Sequence, residues 1–262
     1  MRGTSRGFYS RAELASIADQ ILGRRLPGRP EQGMLEESAI QNYELGSPLV
    51  LPPPDNRKYR YFKSGKALTR YLGAYNHNQW PTNGNTVSES AAGQKQLKVP
   101  DAVGAANDYA GGYIVIFTSP LQAYLIVSNT ASDGTEVTLT LKDNLKTVVP
   151  VGTWVTGYPS MYRNVQAPPA PAPDYITFVC VPNINVQIDH FFWGQVKGWC
   201  YGVADGTVPG SMANHRDVYF ATSGNLSPYG DGPAGIGGQY AGYLLPRTEN
   251  GSGDQLYFLQ LE

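Results

Sequence analysis

The sequence is short of charge and of cysteine, and both shortages exclude classes of protein. Only 16% of its 262 residues are charged, and 20 basic against 21 acidic residues leave a net charge of −1. Overall charge therefore gives no reason to expect binding to nucleic acid or to a membrane surface. Two cysteines are too few for a disulfide scaffold or a cysteine zinc site. Cys180 and Cys200 could pair or stay reduced, and we favour two buried thiols.

Long hydrophobic runs are also missing. Apolar stretches such as residues 112–117 are far shorter than the roughly 20 residues that a membrane-spanning helix needs. The arginines near the N-terminus are not followed by the apolar stretch of a secretory signal. We therefore expect no membrane partner, and a chain that is made and used without passing a secretion channel.

Histidines are few and catalytic motifs are not evident. His77, His190 and His215 form no metal-ligand spacing, and no G-x-S-x-G nucleophile elbow occurs. The tract at residues 63–67 lacks the upstream glycine and the hydroxyl residue of a phosphate loop. We therefore predict a protein that is not an enzyme, with no catalytic residue, no metal site and no cofactor. A glycosidase pair among the scattered carboxylates stays open, because the separation of such a pair is spatial.

Turn-forming and aromatic residues are plentiful. The 30 glycines, 20 prolines and 18 tyrosines favour turns and pleated sheets over long helices. Strand-like segments follow one another after residue 106, at 112–118, 122–129, 135–141, 147–151, 153–156, 175–181, 185–192, 195–203, 217–221, 240–245 and 255–261. Short strands at this spacing predict a mainly β fold, with an antiparallel β-sandwich or barrel body over residues 105–262. The proline-rich stretch 167–173 could split this body, and we favour a stiff loop there.

Residues 1–104 have a different texture and predict an extended N-terminal arm. Apolar residues at helical spacing, with a capping box formed by Ser10 and Glu13, predict one short helix near residues 10–25. Residues 31–100 contain few strand patterns. Irregular segments of this length are usually functional or become ordered on a partner, so we expect the arm to bind one.

The arm carries the candidate binding residues, which are arginines near the N-terminus and a mixture of basic and aromatic residues further along. Exposed aromatic and arginine side chains are typical of interface hot spots. The predicted partner-binding anchors are Arg2, Arg6, Arg11, Arg24, Arg25, Arg57, Tyr59, Arg60, Tyr61, Phe62, Tyr71 and Trp80. Two alternatives stay open: the arginines could form a solvated helix face, and the aromatic side chains could pack on this chain's own core.

The stretch 57–63 is the most basic short segment of the chain, and its basic residues alternate with aromatic ones. Such a mixture could bind nucleic acid or an acidic protein surface. We favour the protein surface, because the total charge is balanced and no RNA-binding motif is present.

The final third of the chain resembles a known group of proteins. Two neighbouring stretches resemble a segment of tailed-phage virion proteins. They are residues 191–200, which contain an aromatic-G-Q-x-x-G pattern, and residues 203–207, which end in a D-G-T turn. Residues 217–226, 240–245 and 253–261 resemble the hairpin and closing strands of capsid decoration, or cement, proteins. Residues 110–115 show a weaker resemblance to the same proteins. The resemblance covers residues 190–262, and the long arm and the middle β region depart from a minimal decoration protein.

The resemblance implies a non-enzymatic structural protein on the capsid surface of a bacteriophage virion, synthesised in the host cytoplasm. The implied partners are the major capsid protein and neighbouring copies of this chain, in a homo-oligomer of which a trimer is one form. Together with the arm, this predicts that residues 1–104 act as a strap that staples neighbouring capsid subunits, while residues 105–262 fold autonomously.

An alternative function is a carbohydrate-binding or host-adhesion β module of a virion fibre or spike. In such a module exposed Trp and Tyr side chains stack on sugar rings. The candidates are Trp80, Trp154, Trp193 and Trp199, of which we expect Trp193 and Trp199 to lie in the core, because both fall within predicted strands.

Overall fold

The computed structural model describes residues 24–76, 83–168, 176–205, 216–228, 238–245 and 255–262. The described residues form strands and turns with no helix, so the predicted mainly β, antiparallel class is confirmed. Within these ranges, no helix is long and apolar enough to cross a membrane. Most of the helix predicted near residues 10–25 lies outside the described ranges. Its end does not, and there Arg25 forms an isolated antiparallel β-bridge with Tyr43.

The described residues form sixteen strands, in chain order. They are β1 (Pro48–Val50), β2 (Lys58–Lys63), β3 (Ala74–Asn76), β4 (Asn83–Asn85), β5 (Gln96–Pro100), β6 (Tyr113–Ile116), β7 (Gln122–Asn129), β8 (Glu136–Leu141), β9 (Trp154–Tyr158), β10 (Val165–Gln166), β11 (Thr177–Pro182), β12 (Phe191–Gly202), β13 (Asp217–Phe220), β14 (Leu226–Ser227), β15 (Gln239–Leu244) and β16 (Gln255–Gln260). All pairings between these strands are antiparallel.

The chain divides into two compact units. Unit 1 comprises Met1–His77 and Tyr162–Glu262, and unit 2 comprises Asn78–Met161. This division differs from the sequence-based boundary at residue 104, because strands β1 to β3 of the predicted arm belong to unit 1. Strand β2 pairs with β12 along its whole length, and β3 pairs with β11. Backbone hydrogen bonds and side-chain burial both hold residues 48–76 in this unit.

Unit 2 contains a single curled six-stranded sheet in the order β4-β9-β6-β7-β8-β5. Alternate residues point inward, as the pleat requires, and fill one core. The members of this core are Leu97, Val99, Tyr109, Ile114, Ile116, Tyr124, Ile126, Val137, Leu139, Leu141, Leu145, Val149 and Val155. The chain after β4 turns toward the other edge of the sheet, where the Val87 N–H donates to the Lys98 carbonyl at 3.3 Å. The sheet is a strongly curled half-barrel whose two edges approach each other at this point.

Unit 1 contains a curled ten-stranded sheet. Eight strands follow the order β10-β3-β11-β12-β16-β15-β13-β14, and β2, which also pairs with β1, adds to β12. The long strand β12 is the centre of this arrangement. Its first half pairs with β2, and its second half, from Lys197 to Gly202, pairs with β16. The first half is buried except for the half-buried Phe191, whereas the second half has one exposed face.

Candidate functional site

The aromatic-G-Q-x-x-G motif forms an irregular point in β12. The pairing of β12 with β2 shifts register between Gln195 and Lys197, which marks a β-bulge. Gly198 has φ of +95°, a left-handed conformation that favours glycine. The Gln195 side chain has no exposed surface; it donates to the Trp199 carbonyl at 2.7 Å and accepts from the Asn183 amide at 3.0 Å. The motif therefore fixes the shape of the strand, and its residues are structural.

The first half of β12 is covered by this chain's own N-terminal segment. Trp193 is 1% exposed, and its indole N–H donates to the Gln32 carbonyl at 3.1 Å. The Trp193 ring packs edge-on against Tyr43 and Tyr61, with centroid separations of 4.9 Å in both pairs. The expectation that Trp193 lies in the core is confirmed. Residues 24–51 thus act as a cover over this half of the strand.

The second half of β12 begins the aromatic row, which consists of the exposed Trp199 and Tyr243 and the half-buried Phe258 between them. In the strand register Trp199 lies opposite Phe258, and Phe258 lies opposite Tyr243, so the three side chains cross β12, β16 and β15 in a line. Trp199 is 42% exposed and Tyr243 is 39% exposed. The expectation that Trp199 belongs to the core is wrong, because its neighbours along the strand, Gly198 and Cys200, are the buried ones.

The rings of the aromatic row contact one another. The Tyr243 and Phe258 rings have centroids 5.2 Å apart and planes only 12° apart, which is a stacked arrangement. The Trp199 ring meets Phe258 edge-on, at 5.4 Å and 84°. One face of each stacked ring is therefore partly covered by its neighbour, which leaves less ring face for stacking of a flat sugar ring.

A second exposed pair lies beside the aromatic row and leads to a groove. Tyr201 lies opposite Leu256 two register positions beyond Trp199 and Phe258, and the two are 41% and 53% exposed. The Tyr201 ring meets Tyr71 edge-on at 5.0 Å, and the Arg70 guanidinium lies 5.5 Å from the centre of the Tyr71 ring. The open groove here has a volume of about 740 Å³ and is lined by Thr69, Arg70, Tyr71, Asn185, Tyr201 and Val203.

The aromatic anchors that the sequence predicts differ in exposure and do not form one surface. Tyr59, Tyr61 and Phe62 all lie on β2 and have no exposed surface. They pack on this chain's own core, which is the alternative that the sequence left open. Tyr71 is the anchor that borders the groove. Trp80 lies outside the described residues.

The predicted arginine anchors also have different surroundings. Arg57 forms two hydrogen bonds with Asp55, at 2.6 and 2.7 Å, and this contact lowers the pKa of the Asp55 carboxyl. Arg60 is paired with Glu262 at 2.8 Å. Arg24 is exposed beside Glu44, and Arg25 is exposed as well. Arg2, Arg6 and Arg11 lie outside the described residues.

The titratable groups in the described core have structural roles. Cys180 and Cys200 are both buried and unpaired, and burial raises the pKa of the Cys200 thiol to about 12. The buried Asp101 carboxylate accepts from the Tyr109 hydroxyl and from the backbone N–H groups of Val103 and Gly104, so it holds its own loop. Across the described ranges, no group of three or more His, Cys, Asp or Glu side chains could hold a metal ion.

Sequence reasoning did not single out Tyr243, Leu256 and Phe258. A signal was present in β16, whose sequence Gln255–Gln260 places apolar residues on both faces of the strand. Such a strand is buried on both faces or presents an apolar surface, and the pattern alone does not distinguish the two cases. Comparisons of this chain with protein-family models, with curated proteins and with solved structures gave no match.

Proposed function

We propose that this chain is a non-enzymatic structural protein of a tailed-phage virion, a capsid decoration protein that binds the outer shell. The proposal starts from the resemblance of residues 190–262 to decoration proteins. The observation that carries it further is the exposed aromatic row of Trp199, Phe258 and Tyr243, because all three residues belong to the segment that bears the resemblance. An exposed apolar surface on a β-sheet face marks a site of protein interaction.

The aromatic row supports a protein partner rather than a sugar. Its rings contact one another by stacking and edge-on packing, which leaves less free ring face for a sugar. Aromatic residues with a polar end, such as Trp and Tyr, are also the side chains that dominate binding energy at protein interfaces. We therefore assign the aromatic row to contact with the major capsid protein.

The stapling role of the arm is part of the same proposal, with a narrower set of residues. A side chain without exposed surface cannot contact a partner while unit 1 is folded, so Tyr59, Tyr61 and Phe62 would act by holding β2 to β12. Among the described anchors, Arg24 and Arg25 are exposed and Tyr71 borders the open groove, so these three are available to neighbouring shell subunits. Homo-oligomerisation, with a trimer as one form, stays a proposal from the resemblance.

The first experiment is a copy-number measurement in purified particles, by quantitative mass spectrometry against the major capsid protein. A simple lattice ratio supports shell decoration. A few copies per particle would instead favour a fibre or spike component, and complete absence would contradict the virion proposal.

The second part of the test measures binding of purified chain to shells that lack it. Replacing both Trp199 and Tyr243 by alanine should weaken binding at least about tenfold, because central aromatic anchors contribute most of the affinity. The matched control is Val103→Ala, at a side chain that is 82% exposed in unit 2 and outside the aromatic row. Full-strength binding by the double variant, with an unchanged melting temperature, would rule out the aromatic row as the shell contact.

A further inference from the structure

The outer surface of the unit 2 sheet is divided into two halves of different chemistry. On β8 and β5 the outward positions carry threonines and the ion pair between Lys98 and Glu136. On β9, β6 and β7 the outward side chains carry no charge. We call the part formed by β4, β9, β6 and β7 the uncharged face; its outward side chains include Asn85, Tyr113, Val115, Phe117, Ala123, Leu125, Val127, Trp154, Thr156 and Tyr158.

Aromatic side chains occupy two ends of the uncharged face. Tyr113 lies opposite Tyr158 in the strand register, and these side chains are 55% and 54% exposed. At the other end the Phe117 N–H donates to the Trp154 carbonyl at 2.9 Å, which places those two residues side by side. Both are 49% exposed. Trp154 and Tyr158 are four residues apart on β9, a distance of about 13 Å along an extended strand.

Smaller side chains lie between the two aromatic ends. Thr156 of β9 faces Val115 of β6, and Val115 faces Ala123 of β7. Small residues therefore separate the two pairs of large aromatic side chains. Two polar side chains lie on this part of the face. Thr156 is one of the small residues, and Asn85 of β4 lies opposite Trp154.

The rings of this face differ from those of the aromatic row in unit 1. Among the described residues, no ring contact joins Tyr113, Phe117, Trp154 and Tyr158 to one another or to other aromatic side chains. Within the described part of the chain their faces are not used in stacking, so they are suited to stack on a ligand.

From these observations we propose that the uncharged face of unit 2 binds a neutral oligosaccharide. The lack of charge matches an uncharged ligand, and it argues against nucleic acid or an anionic glycan, which require basic residues. Sugar rings present apolar C–H faces to aromatic rings and hydroxyl groups to neutral donors and acceptors such as Thr156 and Asn85. A few polar groups among aromatic side chains are typical of small-ligand sites. This inference goes beyond the shell binding proposed for unit 1 and does not depend on it.

The test applies the purified full chain to a printed array of neutral and acidic oligosaccharides, followed by calorimetric titration of the best ligand. We expect binding to neutral oligosaccharides. Trp154→Ala should weaken the measured affinity at least about tenfold, as loss of a main aromatic contact does. Thr156→Val keeps the side-chain volume and removes the hydroxyl, and it should weaken the affinity severalfold. Thr140→Val on β8 makes the same exchange on the other half of the sheet and should bind like the unchanged chain.

Three outcomes would overturn the proposal. The first is no binding to any neutral oligosaccharide, or binding to acidic ones alone. The second is neutral binding that Trp154→Ala and Thr156→Val leave unchanged although both variants melt at the original temperature. The third is self-association of the chain that Trp154→Ala abolishes, which would identify the face as a contact between copies. Shell binding through unit 1 is measured separately, so the two proposals can fail independently.

Discussion

At the scale of single residues, burial determines how the thiols and phenols of unit 1 titrate. Burial raises the pKa of Cys200 from 9.0 to about 12, although hydrogen bonding to Tyr257 and the charge of Arg57 act in the opposite direction. Burial also raises the pKa of Tyr59 and of Tyr61 from 10.0 to about 12. The folded protein therefore holds these protons more tightly than the unfolded chain does.

This difference predicts a loss of stability in alkali. The contribution of these groups to the free energy of unfolding is complete below pH 9. It is lost as the pH rises toward about 12, because the unfolded chain gives up its protons first. Urea denaturation at a series of pH values should show the free energy of unfolding of unit 1 falling from pH 9 upward. Cys200→Ala removes one of the groups and should give a shallower fall. A free energy that stays constant over this range would contradict the assignment.

At the scale of elements, the close approach of β15 and β16 sets the geometry of the aromatic row. Gly242 of β15 has φ of +148°, and a Cβ atom there would lie 1.9 Å from the Phe258 carbonyl oxygen. Backbone atoms cannot move aside as the end of a side chain can. The glycine in the hydrophobic-G-hydrophobic pattern is therefore required for the pairing that brings Tyr243 onto Phe258.

Gly242→Ala should lower the free energy of unfolding of unit 1 by about 3 kcal/mol or more, through backbone strain together with strand displacement. The matched control is Gly28→Ala, at a glycine with φ of +70° and no atom within 4 Å of the added carbon. The control should cost only about 1 to 2 kcal/mol, which is the conformational term alone. Urea denaturation of both variants measures the difference, and equal losses would show that the close approach contributes nothing.

At the scale of the whole molecule, unit 2 is an insertion between two parts of unit 1 along the chain. The strands of unit 2 pair only with one another, and its core residues all come from residues 97–155. Unit 1 has the opposite character, because β12 needs β2 from before the insertion and β16 from the C-terminal end of the chain.

Two fragments distinguish this division from the sequence-based boundary. A fragment of residues 78–161 should unfold cooperatively in urea and give a dispersed amide spectrum, because it contains all strands of its own sheet. A fragment of residues 105–262, the autonomous body predicted from sequence, should not form a stable fold, because it lacks β1 to β5. A disordered 78–161 fragment, or a cooperative 105–262 fragment, would contradict the division.

Part of this organisation was predictable from sequence and part was not. The alternation of Val137, Leu139 and Leu141 with threonines predicts β8 and its inward face, and the structure confirms both. Strand β2 was missed, because Tyr61 and Phe62 are buried on opposite faces and so hide the period of two. The predicted strand at 147–151 is wrong, because this segment is irregular and pairs only through the isolated bridge between Val149 and Ser90.

The candidate site was also only partly predictable from sequence. The sequence alone determined that the chain is mainly β, that its bends depend on glycine, and that it is rich in aromatic residues and poor in catalytic motifs. Composition and hydrophobic period are enough for these conclusions because they act locally. Tertiary structure decided which aromatic side chains face the solvent. Trp193 and Trp199 lie on one strand six residues apart, yet the N-terminal segment covers the first and leaves the second exposed. Cover of this kind depends on segments far apart in the chain, so no local pattern contains it.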